Sequence, residues 1–209
     1  MNWMELTLHD FQVALASSSP TPGGGTAAAV ALGQAASLAI MVSDLTMNSE
    51  KWKEGWPMAE KIQMISIPLL HRSGQLAQED SEAFDRVMDA YRLPKTNDIE
   101  MSQRKMAIHS AMLHAALIPL QTAEAAYSLL SLLPALATTG NANAVSDVGV
   151  AGLLASAAGK GALLNVETNL RSLPDEITTE IQVKLPALKE GLKSTSREVM
   201  HAVRARLDA

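Results

Sequence analysis

Apolar residues recur at helical spacing through most of the chain, and no segment alternates convincingly with the period of two that strands need. The pattern predicts a short helix over about Leu6–Ser17, entered near Thr7, and a second over Thr26–Thr46. A polar stretch, "MNSEKWKEGW", separates these from a long helix over about Pro57–Tyr91, with a kink expected at Pro68. Leu93 precedes a proline, so "RLPKTND" breaks that helix. The next runs over about Asp98–Leu133, kinked near Pro119. After "TTGNANAVSD" a helix covers Ser146–Arg171, and the last runs from near Pro174 to about Arg206. No linker, internal repeat or low-complexity tail interrupts the chain. The expectation is one all-α domain over residues 1–209, a bundle of long, roughly antiparallel helices.

Composition sharpens this picture. Of 209 residues 47% are hydrophobic but only 3% aromatic, so alanine, leucine and methionine carry the apolar content and favour helices over strands. Ala27, Ala28, Ala31, Ala35 and Ala39 on one helix, and Gly149, Gly152, Ala155, Ala158 and Gly161 on another, let backbones approach closely. Each such helix buries little area alone, so the core is expected to be completed by dimerisation.

The net charge of −5 and the absence of cysteine argue against a nucleic-acid surface, disulfides, thiolate zinc sites and a cysteine nucleophile. His109 and His114 are five apart and fall on different faces, so no metal site is expected. "MNWMELTLHD" has acids where a signal peptide needs a basic start, which points to a cytoplasmic chain. The apolar runs Ala27–Val42, Ala111–Ala137 and Val148–Val166 are short of about 20 residues or interrupted by polar ones, which argues against membrane spans.

Two loops and two helices carry candidate chemistry. In "PTPGGGT" the prolines set the chain's entry. Gly23, Gly24 and Gly25 permit positive φ and close approach of a ligand, and Thr26 is a candidate N-cap. The N–H groups of the following helix then face the loop, a site for anions or electron-rich oxygens; a tight turn is the structural alternative. In "GNANAVSD", Asn141, Asn143 and Asp147 either hold polar contacts or cap helices, Asn141 in left-handed geometry and Ser146 or Asp147 as an N-cap. Asn165 and Asn169 share a helix face and either bond backbone or read a polar ligand. In "EDSEAFDRVMDAYRLPK", Asp80 lies beside the stripe formed by Ala83, Phe84, Val87, Met88 and Tyr91. It is the acid expected to be partly buried and shifted in pKa.

Taken together, "LASSSPTPGGGTAAAVALG", "MVSDLT", "DSEAFDRVMDAYRLPK", "GNANAVSDVGVAG" and "GALLNVETNL" resemble the cyclodeaminase domain of formiminotransferase-cyclodeaminase and its stand-alone relatives, including methenyltetrahydrofolate cyclohydrolases. The likeness covers nearly the whole chain. It implies a helical homodimer or larger oligomer acting on one-carbon derivatives of tetrahydrofolate, with no metal or other cofactor. The reaction expected is hydrolysis of 5,10-methenyltetrahydrofolate to 10-formyltetrahydrofolate. The alternatives are closure of 5-formiminotetrahydrofolate with release of ammonia, and a helical dimer that binds folate without catalysis. Either chemistry needs an acid/base, for which Asp80 and Asp147 are the candidates. Gly23, Gly24 and Gly25 would line the folate pocket, with Asn141, Asn143, Asn165 and Asn169 as polar contacts. Lys51 and Lys95 would supply positive charge for folate's carboxylates.

Overall fold

The computed structural model describes residues 2–209. Among the described residues seven α-helices follow in order: α1 (Leu8–Leu15), α2 (Gly24–Met47), α3 (Trp56–Arg92), α4 (Asp98–Leu130), α5 (Leu133–Thr139), α6 (Val145–Leu170) and α7 (Asp175–Leu207). Short 3-10 segments sit at Trp3–Glu5, Glu50–Gly55 and Ala142–Ala144, the second kinked at Trp52. Among the described residues there is no strand.

Side-chain caps set two of the helix starts. The Thr7 hydroxyl accepts from the Asp10 N–H and opens α1. Asn97 does the same for α4 through the Glu100 N–H. "MNSEKWKEGW", read as a loop, is largely a 3-10 turn. α3 and α4 run on through Pro68 and Pro119. α4 stops at Leu130 rather than Leu133, and Leu133–Thr139 forms a separate helix with proline in its first turn.

α2, α3, α4 and α6 form a ring in which α3 and α6 each pack against both α2 and α4, while α7 closes over α6, α5 and α4. The centre holds Leu32, Leu129, Leu130, Leu133, Val148 and Val166. Small residues set the spacing. A Cβ on Gly152 would lie 2.6 Å from Val199 Cγ1, and one on Gly159 would lie 2.6 Å from Leu192 Cδ2, both on α7. A Cβ on Gly161 would meet the Ala28 methyl at 3.7 Å.

The segments Gly24–Met47, Asp98–Thr139 and Ala142–Leu170 are, by length and composition, long and apolar enough to cross a membrane. The isolated polar residues that interrupt the shorter apolar runs do not offset the length of the helices that contain them. Within the bundle, 50% to 56% of each apolar window is buried.

One offset positions the site. Gly33 faces Ser73 and Gly25 faces Asp80, so α2 runs antiparallel to α3 and begins at the level of Asp80. The 12 residues from Ser81 to Arg92 continue past it, about 18 Å at 1.5 Å per residue. α6 also continues, from Asn165 beside Gly24 to its end at Leu170. Beyond the start of α2, α3 and α6 therefore flank a length of α4 that α2 does not cover.

Candidate functional site

The start of α2 is built around one carboxyl group. Gly23 is the N-cap, with extended backbone (φ −125°), and the first intrahelical bond is from the Ala27 N–H to the Gly23 carbonyl at 2.9 Å. Thr26 is therefore inside the first turn rather than at the cap. Its hydroxyl donates across to Asp80 Oδ2 at 3.1 Å, and its backbone N–H also bonds this carboxyl. Asp80 acts as a tertiary cap for α2, supplied from α3.

The glycines act differently from the expectation. Among the described residues none has positive φ. Only Gly25 is required by contact: a Cβ there would lie 2.2 Å from Asp80 Oδ1 and 2.6 Å from its Cγ. A Cβ at Gly24 would meet only Asn165 Nδ2 at 3.7 Å, and one at Gly23 only the Pro20 carbonyl at 3.6 Å. Gly24 is exposed, so the helix end is open to a ligand. The amides of Gly24 and Gly25 precede the first helical bond and point out of that end.

Behind Asp80 runs a line of donors. Trp3 Nε1 donates to Ser81 Oγ at 2.8 Å, and Ser81 Oγ lies 3.0 Å from Thr26 Oγ1. The Thr26 proton is committed to Asp80, so the Ser81 hydroxyl donates to Thr26. Thr26 and Ser81 are buried. Sequence reasoning missed Trp3 and Ser81; only the adjacency of Ser81 to Asp80 signalled the latter. Asp80 is half-buried, and this burial pushes its carboxyl above the ordinary value of 3.8, with the two Thr26 bonds pulling the other way. This matches the expectation of a shifted acid, and a raised carboxyl is better matched to proton transfer near neutral pH.

Asn165 lies beside this carboxyl end, with its amide donating to the Gly161 carbonyl at 3.0 Å. Asn169 Nδ2 donates to the Ala115 carbonyl at 2.7 Å. That carbonyl would be the helical partner of residue 119, which is proline and has no N–H. Asn169 thus repairs the bond that Pro119 removes. Both amides take the backbone-bonding alternative.

The remaining candidates lie elsewhere. Asn141 donates its N–H to Thr46 Oγ1 at 3.0 Å and its amide to the Leu45 carbonyl at 3.1 Å, so the "GNANAVSD" loop sits at the far end of α2. Gly25 and Leu45 are about 30 Å apart along that helix. Asn141 has extended, not left-handed, backbone and accepts from the Asn143 N–H. Asn143 is exposed. α6 has Ala144 as its N-cap without a side-chain bond, so neither Ser146 nor Asp147 caps it, and Asp147 sits in its first turn. Lys51 rests over the Trp52 ring at 4.7 Å, and Arg206 faces the same ring at 5.4 Å. Lys95 lies in a third place, at the turn between α3 and α4. Within one chain the structure joins Gly23–Gly25, Asp80 and Asn165, and it separates them from Asn141, Asn143, Asp147 and Lys51.

The fold and this end define a helical domain whose glycine-started inner helix holds a half-buried acid at an open mouth. A family model described as formiminotransferase-cyclodeaminase matches residues 7–185. The chain is 38% identical over 178 residues to a methenyltetrahydrofolate cyclohydrolase of Methylorubrum extorquens, covering 85% of this chain and 86% of that protein. It is 27% identical over 208 residues to the formimidoyltransferase-cyclodeaminase of Mus musculus, of which it spans 38%. The solved structure of formiminotetrahydrofolate cyclodeaminase from Thermotoga maritima matches with a TM-score of 0.85 and 27% identity, over 97% of this chain and 98% of that one. The chain belongs to the formiminotransferase-cyclodeaminase family.

Proposed function

We propose that this chain is an enzyme that hydrolyses 5,10-methenyltetrahydrofolate to 10-formyltetrahydrofolate. The observation that carries the reading is Asp80, half-buried and raised at an open helix start. The relative that matches over most of both chains, a methenyltetrahydrofolate cyclohydrolase, supports it. The substrate carries positive charge across N5, the bridging carbon and N10, which a carboxylate complements. Water attacks the bridging carbon and Asp80 takes its proton, leaving a tetrahedral carbinolamine. Asp80 then protonates N5 as the N5–C bond breaks. The hydroxyl proton leaves to solvent as the formyl carbonyl forms on N10, so one proton is released overall. The reaction so written draws on water and side chains.

The cyclodeaminase reading is favoured by the Thermotoga maritima neighbour. It passes through the same kind of tetrahedral carbon, with ammonia leaving instead of water entering. One assay separates the two. Loss of the near-ultraviolet band of 5,10-methenyltetrahydrofolate above the uncatalysed rate supports the hydrolase. No such loss, with gain of that band from 5-formiminotetrahydrofolate, supports the deaminase.

The proposal extends to assembly. The outer face of α2 carries Ala27, Ala31, Leu38, Met41 and Leu45 along its length, each partly exposed, and α6 adds the exposed Leu153 and Leu164. A second copy packed antiparallel on this face would bring its Asn141, Asn143, Asp147 and Lys51 to the Asp80 end of the first. In that arrangement both candidate acids serve one site.

A further inference from the structure

Past the start of α2, the uncovered length of α4 ends in a pocket of about 590 Å³ between Tyr91 of α3 and Ser172 after α6. Its polar lining is Lys95, Arg104, Lys105 and His109, and among the described residues no acid lines it. In a chain of net charge −5 this is a local reversal of sign. Among the described residues neither lysine nor Arg104 is ion-paired. Arg104 is fixed in place. Its Nε and Nη2 donate to the Tyr91 carbonyl at 3.2 and 2.9 Å, and its guanidinium lies 5.5 Å from the Tyr91 ring centroid. The Nη1 donors are left for a ligand. Met112, also in the lining, accepts the Ser172 hydroxyl at 3.4 Å.

The pocket is aligned with the acid. On α3, Asp80, Phe84, Met88 and Tyr91 follow one another at helical spacing on one face, and the last three are exposed. Along α6 and the turn that follows it, Ser172 at the pocket lies seven positions after Asn165, which sits beside the start of α2, about 10 Å at helical rise. A ligand whose reacting carbon sits at Asp80 and whose tail runs past Phe84 ends among the cations.

We infer that Lys95, Arg104, Lys105 and His109 form a carboxylate subsite that reads the glutamate tail of the folate substrate. The inference rests on the folate reading above. A folate places one p-aminobenzoyl ring and one amide between its reacting nitrogens and two carboxylates. The uncovered stretch offers an apolar, partly aromatic path followed by three cations. The subsite binds ground state and transition state alike, because the tail does not change during the reaction. It therefore sets KM and leaves kcat alone.

The test uses the full chain with Lys95→Gln/Lys105→Gln, both exposed and without structural partners. A control, Lys61→Gln/Lys184→Gln, removes the same charge elsewhere. The substrates are 5,10-methenyltetrahydrofolate with one and with several glutamates, and the pteroate analogue that lacks glutamate. The double variant is expected to raise KM for the glutamyl substrates by about tenfold or more, as for loss of charge-assisted bonds. Its kcat should hold, and pteroate kinetics should be unchanged. An unchanged KM for the glutamyl substrates, or an equal loss on pteroate, overturns the subsite. If the wild type turns over no methenyl substrate, the hydrolase reading fails separately. Equilibrium dialysis of p-aminobenzoyl-glutamate then decides the subsite: retention by wild type and control but not by the variant supports it, and equal binding or none overturns it.

Discussion

Gly25→Ala tests whether the contact between the start of α2 and Asp80 matters. The backbone there is already helical, so alanine is conformationally acceptable and improves local propensity by about 1 kcal/mol. The added methyl, however, lies 2.2 Å from Asp80 Oδ1 and 2.6 Å from both Cγ and Oδ2. Ordinary contact needs more than 3.4 Å, so the carboxyl must move by over an ångström. Its bond from Thr26 is already 3.1 Å long and does not survive that shift. A hydrogen bond to a charged group contributes about 1.5–3 kcal/mol. Net of the propensity gain, the variant should lose roughly 0.5–2 kcal/mol, with Tm falling by about 2–4 °C for each kcal/mol. Turnover should fall more steeply, because a displacement of about 1 Å at an acid/base can cost on the order of 100-fold. The assays are thermal unfolding and the loss of methenyl absorbance. Gly24→Ala, whose methyl meets only Asn165 at 3.7 Å, should melt close to wild type. A folded Gly25→Ala protein with wild-type kcat/KM would refute the argument that this glycine exists to admit Asp80.

Three further outcomes follow from the same geometry. Asp80→Asn should lower kcat by about 10²–10⁴ and should raise stability at neutral pH. The folded carboxyl titrates above 3.8, so as pH rises through that value the unfolded state ionises first and the wild type loses stability. Urea midpoints should coincide near the bottom of this window and favour Asp80→Asn above it; a wild type more stable at pH 7 contradicts the burial argument. Asn169→Ala should cost about 1 kcal/mol by orphaning the Ala115 carbonyl, and less in a Pro119→Ala background that restores the N–H; a double-mutant cycle with no coupling sinks the repair role. Mixed under subunit exchange, inactive Asp80→Asn and Asp147→Asn proteins should recover partial activity; no recovery argues against a site shared between two chains.

Six of the seven helices followed from periodicity because long amphipathic or wholly buried helices carry a local, repetitive signal; the seven-residue α5, set off from α4 by a turn, is too short to carry one. Starts were legible where a side chain caps its own helix, as at Thr7 and Asn97. The start of α2 was misread because its cap comes from Asp80, 54 residues away from Thr26. The family was legible because its motifs are contiguous in sequence. Asp80 stood out as a shifted acid because its neighbours on one helix face are apolar. The roles of Asn169 and Gly25 depend on what packs opposite: a proline-freed carbonyl in one case and a carboxyl in the other.

The sequence by itself determined the all-helical class, the family and the polar side chains available for chemistry, since each is written in residue types and local spacing. Only the tertiary structure decided which of them meet. It placed Gly25, Asp80 and Asn165 at one end of α2 and Asn141, Asn143 and Asp147 about 30 Å away. The physical reason is the rigidity of a 24-residue helix, which holds apart two loops that look equivalent when read along the chain.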